Sequence, residues 1–176
     1  MRLTQFSNFA VRILMFAGLK GRGPSSIPEI ARAYGISHDH LKKAAAELCR
    51  LGTLEAVRGR AGGVRLAEPP EMISIGRVVR HTEGASTLVE CFDPASNTCP
   101  LIAHCRFRLA LQEAQEAFFV VLDRHMLGDL IQDGGALRPL VGLDGTGLPN
   151  YCPARTGGDA ALARVVERRS GGEPGV

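Results

Sequence analysis

The residues of this chain best suited to chemistry are Cys91, Cys99 and Cys105, three of its five cysteines. Seven residues separate the first pair and five the second. Asp93, Pro94, Ser96 and Asn97 lie between Cys91 and Cys99 and are turn formers, so this stretch is expected to be a loop. A loop can fold three sulfurs toward one point, which a helix or strand at these spacings could not easily do. Converging thiolates are soft ligands, suited to zinc, copper(I) or an iron–sulfur cluster. A cluster held by three cysteines leaves one iron with a weaker or exchangeable ligand, as a small-molecule sensor requires. Structural zinc needs a fourth ligand, for which His104 is nearest, and the usual short C-x-x-C pairs are missing. A disulfide with one thiol left over would make a redox switch. The chemistry therefore favours a cluster, then a thiol switch, then zinc. An enzyme ranks below all three. His104 adjoins Cys105, but neighbours at a helix start point apart, and no oxyanion-hole motif accompanies them. Cys49 reads as packing and Cys152 as an incidental thiol.

These cysteines must be positioned by what surrounds them. The 176 residues are 45% hydrophobic and 22% charged, ordinary for a soluble globular chain, and no run approaches a membrane span. The N-terminus lacks signal-peptide architecture, so a cytoplasmic protein is expected, where cysteines serve metal or redox chemistry more than disulfides. A net charge of +3 permits nucleic-acid binding. The absence of Trp and the presence of only two Tyr disfavour a stacking surface for single strands, leaving duplex DNA as the candidate partner.

The period of Phe6, Ala10, Ile13, Leu14 and Ala17 predicts a first helix over residues 3–20. Pro28 and Glu29 open a second short helix, Gly35 supplies a tight turn, and Ser37 caps a third. Leu41, Ala44, Ala45, Leu48 and Leu51 would be the buried face of that third helix, leaving His38, His40, Lys42, Lys43 and Arg50 outside. Residues 28–51 thus form a helix-turn-helix pattern. Strands are expected at 54–57 and 64–67, joined by a glycine-rich turn. A hairpin after a helix-turn-helix is a wing, and Arg58, Arg60 and Arg65 would carry its charge to DNA. Beyond a short helix at 75–80 and the cysteine loop, residues 106–124 hold a broad apolar stripe of Phe107, Ala110, Leu111, Ala114, Ala117, Phe118, Val121 and Leu122. Such a helix needs a partner, and its symmetry mate in a homodimer is the favoured one. From residue 133 onward ten Gly and four Pro fall in 44 residues, too little apolar surface to offset ordering. The expected fold is mostly α with a small β-hairpin, a winged helix-turn-helix followed by a long dimerisation helix. The expected division is a DNA-binding domain at 1–84, the cysteine loop and dimerisation helix at 85–131, and a disordered tail at 132–176.

The residues MRLT at 1–4, RGRAGGVRL at 58–66, CPL at 99–101 and CR at 105–106 strongly resemble the Rrf-type winged-helix iron–sulfur regulators. The resemblance covers residues 1–131. It implies a homodimeric repressor of a palindromic operator, with one cluster per subunit, [4Fe-4S] or [2Fe-2S], bound by Cys91, Cys99 and Cys105. SHDHLKK at 37–43 and CRFRLAL at 105–111 are similar to the nitric-oxide-sensing branch of the family, which is favoured. IPEIARAY at 27–34 and the wide Cys91–Cys99 gap look equally like the iron-responsive branch. A third branch, with closer cysteines and a nearby His ligand, matches less well. Some members complete the cluster with an Asp near the N-terminus of the opposite subunit. This chain has Asn8 there, a poorer anionic ligand, so Asn8 of the partner enters only as a candidate carbonyl donor.

Overall fold

The computed structural model describes residues 3–59, 62–84 and 88–144. Its organising element is α1 (Gln5–Lys20), which buries Ala10, Ile13, Leu14, Phe16, Ala17 and Leu19 along one length. The Thr4 hydroxyl caps it by accepting the Ser7 amide at 3.2 Å. Next comes α2 (Ile27–Tyr34), opened by a reciprocal capping box between Ser26 and Glu29, with Pro28 in its first turn. Gly35 follows at φ 63°, a left-handed turn that an L side chain would strain, and it redirects the chain into α3 (His38–Leu51). Ser37 caps α3, and Leu41, Ala44, Ala45 and Leu48 are its buried face, as the spacing predicts.

Strands β1 (Leu54–Val57) and β2 (Gly63–Leu66) pair antiparallel, with Leu54 opposite Leu66 and Val57 opposite Gly63. The second strand sits one residue earlier than its sequence pattern indicates. Ser25 and Val64 exchange two backbone hydrogen bonds, at 2.7 and 2.9 Å, fastening the hairpin to the loop after α1. This fold-dependent pairing sets the register.

Helix α4 (Ile75–Glu83) lays Ile75, Val78 and Val79 on the core and separates α1 from α5 (Arg106–Asp123). At Gly76 an added Cβ would lie 1.9 Å from Asp123 Oδ1, so α4 and the end of α5 approach closely there. The remaining helices are α6 (Leu127–Ile131), with Leu127 fully buried, and α7 (Gly134–Leu140). The described residues form a mostly helical fold with one two-stranded hairpin. No described helix is long and apolar enough to cross a membrane.

The start of the presumptive tail is corrected by this structure. Residues 132–144 are built onto the core: Leu137, Val141 and Leu143 pack against it, and Arg138 Nη1 donates to the Leu19 carbonyl at 2.7 Å. Gly134 and Gly135 stand in the first turn of α7, where glycine is a smaller handicap than in mid-helix. Cys152 and the rest of the glycine-rich stretch, 145–176, lie outside the described residues, as does Arg60.

Candidate metal centre and DNA-reading face

Cys91 lies in a single 3-10 turn, Glu90–Phe92, and Cys105 is the N-cap of α5. Between them Asp93 organises the loop. Its carboxylate accepts the Ser96 hydroxyl at 2.7 Å and the Ala95 amide at 3.0 Å, which together hold it below its usual acidity range. Thr98 Oγ1 donates to Glu90 Oε1 at 3.1 Å, closing the loop across its base, and the Cys99 amide donates to Asn97 Oδ1 at 3.1 Å. Arg108, which the sequence reading passed over, touches both ends. Its amide donates to Cys105 Sγ at 3.3 Å, and its Nε donates to the Cys91 carbonyl at 3.2 Å.

All three thiols are free and partly exposed. Among the described residues no three His, Cys, Asp or Glu side chains already stand close enough together to hold a metal ion. The donor set nevertheless fits a thiophilic group: three unblocked thiols on one short segment, its ends braced by Arg108, with an N–H···S bond of the kind that tunes cluster ligands. His104 is exposed and lines a cavity of about 460 Å³ with Cys105, Arg106 and Arg108. Asn8 is exposed on the opening turns of α1, beside Thr4, Phe9 and Arg12 in a cleft of about 370 Å³. Cys49 packs against the core, and burial pushes its thiol above its ordinary value.

The candidate DNA-reading surface is built around the start of α3. His38, His40, Lys42 and Lys43 are exposed there, with Pro28 at the head of α2. The Ser37 hydroxyl shares a hydrogen bond with His40 Nδ1 at 2.8 Å, and the His40 ring stacks on Phe9 of α1 at 5.8 Å. His40 is therefore anchored on one side. On the wing Arg58 is exposed, whereas Arg65 pairs with Glu55 directly across the hairpin. Arg50 likewise pairs with Glu47. Lys42, Lys43 and Arg58 are exposed cations of this face without an ion-pair partner among the described residues.

Helix α5 contacts α4 through Glu116, Phe119 and Asp123, spaced at helical intervals along one face. The apolar stripe legible in the sequence lies on a different face. Phe107 is 70% exposed and Val121 50%, and Ala110, Ala114 and Ala117 are exposed between them. Of the stripe only Leu122 packs against the chain's own core, and most of its length is left uncovered.

A family model described as Rrf2, an iron-dependent transcriptional regulator, matches residues 3–133. The chain is 48% identical over 142 residues to the HTH-type transcriptional regulator NsrR of Geobacillus kaustophilus, covering 80% of this chain and 97% of that one. It is 41% identical over 133 residues to the HTH-type transcriptional repressor NsrR of Streptomyces coelicolor, covering 74% and 88%. Among solved structures it is similar to CymR, the global cysteine regulator of B. subtilis. There the TM-score is 0.58 at 25% identity, over 76% of this chain and 98% of that one.

Proposed function

The chain belongs to the Rrf2 family of transcriptional regulators, and from that premise we propose that it is a homodimeric DNA-binding repressor sensing nitric oxide through an iron–sulfur cluster. Cys91, Cys99 and Cys105 would hold the cluster, and Asn8 of a second copy would offer its carbonyl oxygen to the remaining iron. The observation that carries the reading is the bracing of the free-thiol segment by Arg108, directly before a helix whose apolar stripe is uncovered. Similarity to proteins named NsrR supports nitric oxide as the signal. The likeness to transcriptional regulators supports a reader of DNA and not an enzyme. Residues 1–84 would read DNA and 85–131 would sense and dimerise, in the cytoplasm, where thiols stay reduced.

Bound at the three thiolates, a cluster would supply iron with an affinity for nitric oxide. The chain's own residues do the rest. Asp93, Thr98 and Arg108 keep the segment folded while its sulfurs are engaged. Two α5 helices, joined through their stripes, set the distance between two α3 helices. Each α3 enters a major groove with Ser37, His38, His40, Lys42 and Lys43 leading, and Arg58 and Arg60 reach flanking phosphates. Successive grooves repeat every ~34 Å, so a shift of a few ångströms between the heads breaks the register.

The iron dependence in the family description favours a second reading, in which iron limitation empties the site and relieves repression. Ligand assignment is tested by anaerobic purification of single serine variants. Cys91→Ser, Cys99→Ser and Cys105→Ser should lose the visible chromophore and its iron, and Cys49→Ser should keep both. A colourless wild-type protein that binds operator fully would replace the cluster with zinc or thiols. Bleaching by Cys49→Ser alone would overturn the ligand set.

A further inference from the structure

His38, His40, Lys42 and Lys43 are all exposed at the start of α3, yet only His40 has side-chain partners among the described residues. It has one on an edge and one on a face. At the Nδ1 edge the Ser37 hydroxyl stands 2.8 Å away. Under one face lies the Phe9 ring of α1, 5.8 Å from centre to centre and inclined by 29°, an offset stack. Phe9 itself packs against the core, so the shelf beneath His40 is fixed to the body of the protein. A histidine turns about two side-chain torsions, and an edge contact together with a face contact settles both. Little ordering of this ring is left for binding to impose. Its Nε2 has no partner among the described residues.

The helix cap bears on where the ring carries its proton. Ser37 Oγ, as the N-cap of α3, accepts the His40 amide. The hydroxyl's own proton is left to turn toward Nδ1. When Nδ1 accepts it, a neutral ring carries its proton on Nε2, and a protonated ring has one there as well. The outer edge is then a donor in either state. In the major groove guanine sets two acceptors side by side, N7 and O6, with no donor between them and the reader. Adenine places an amino donor beside its N7, cytosine offers an amino donor, and thymine a methyl group beside its O4. A lone, rigid donor matches guanine best. Lys42 and Lys43, held by no neighbour, suit phosphates, which fix register without carrying sequence.

We propose that His40 is a guanine-reading residue of α3, with Ser37 and Phe9 as positioning residues that hold its Nε2–H toward the major groove. This rests on the function proposed above, which brings α3 to duplex DNA. It divides the labour at the head of the helix: one held ring reads a base, and the loose cations beside it bind the backbone. It also gives α1 a part in sequence recognition, since the shelf belongs to α1 and not to the reading helix.

The test starts from duplexes that the wild-type protein, cluster-loaded and cluster-free in parallel, enriches from a random-sequence pool. Each guanine of the enriched site is then replaced singly by 7-deazaguanine, which loses the N7 acceptor and keeps its base pairing. Affinities for these duplexes and for random duplex are measured with wild type, His40→Ala and Phe9→Leu, alongside thermal melting. In wild type one guanine of each half-site should respond by about tenfold, the size of a good base contact. His40→Ala should lose about as much on the unmodified site and no longer respond to that guanine, because the two changes remove the same contact. Affinity for random duplex and the salt slope should stay at wild-type values in both variants. Phe9→Leu keeps an apolar side chain for the core without the flat ring, and its response to the same guanine should shrink. If Phe9→Leu does not fold, His40→Ala, which alters an exposed side chain, decides the matter. An equal loss on enriched and random duplex would make His40 a phosphate contact and overturn the reading. So would a His40→Ala protein that answers every 7-deazaguanine as wild type does. A full response in folded Phe9→Leu would overturn the shelf. A wild-type protein that enriches no sequence in either form would overturn the proposed function, and the guanine reader with it.

Discussion

Lys20 Nζ lies 2.8 Å from Glu29 Oε1 and also donates to the Pro24 carbonyl, so the end of α1 and the start of α2 share one ion pair. Burial alone would raise the Glu29 carboxyl. The Lys20 ammonium and the Ser26 amide and hydroxyl outweigh it and hold the group below its ordinary 4.5. A depressed folded value means stability that is present above the unfolded value and lost as pH falls through the folded one. Glu29 is 40% exposed, so solvent screens the pair. Glu29→Gln, which keeps the capping geometry, should cost under ~1 kcal/mol in urea melts at pH 7 and progressively less as pH falls through the folded value. A difference that persists unchanged in acid would place the cost in the cap and not in the charge. At this same scale Arg108 was illegible in the sequence. An arginine three residues after a cysteine reads as a solvated helix charge, and its reach to the Cys91 carbonyl exists only once the loop is folded. Arg108→Ala should shorten the lifetime of the visible chromophore in anaerobic protein while leaving the oligomeric state as it was.

Among the elements, α1, α3 and α5 announced themselves because each carries a long apolar period, and the caps Thr4, Ser37 and Ser74 mark starts that composition alone leaves vague. What stayed hidden depends on contacts distant in sequence. The register of β2 is set by Ser25, and α7 is masked by Gly134, Gly135 and Pro139, which read as breakers until Leu137 and Val141 find the core. The juncture of α4 and α5 is equally silent in the sequence. Gly76 has no space for a side chain, with Asp123 N 2.7 Å from the position of an added Cβ. Gly76→Ala should therefore push the two helices apart and destabilise the fold by about 1–3 kcal/mol, read by denaturant melting. On the reading face, Arg58 and Lys42 are exposed. Arg58→Ala should weaken operator and random DNA alike and lower the salt slope by about one, as loss of a phosphate contact does. Loss confined to operator would make Arg58 a reader of groove shape.

For the whole molecule, the arrangement we propose is two heads held by paired α5 helices and governed by three cysteines. The stripe on α5 was visible in the sequence, but its direction was not, since periodicity marks an apolar face without saying what covers it. With Phe107 and Val121 exposed on the single chain, a second copy would be the covering surface that also gives a helix-turn-helix its second half-site. Val121→Glu should yield a monomer in sedimentation and lower operator affinity about 100-fold or more, because the second head no longer binds from a tethered position. The most direct measurement is an anaerobic titration of the cluster-loaded dimer with nitric oxide, following visible absorbance and operator binding in the same sample. A nitric-oxide-sensing repressor bleaches and releases DNA in step, at nitric oxide near the cluster concentration. Operator that stays bound through full bleaching, and leaves only when iron is chelated, would contradict nitric oxide as the signal and make the protein a regulator of iron status.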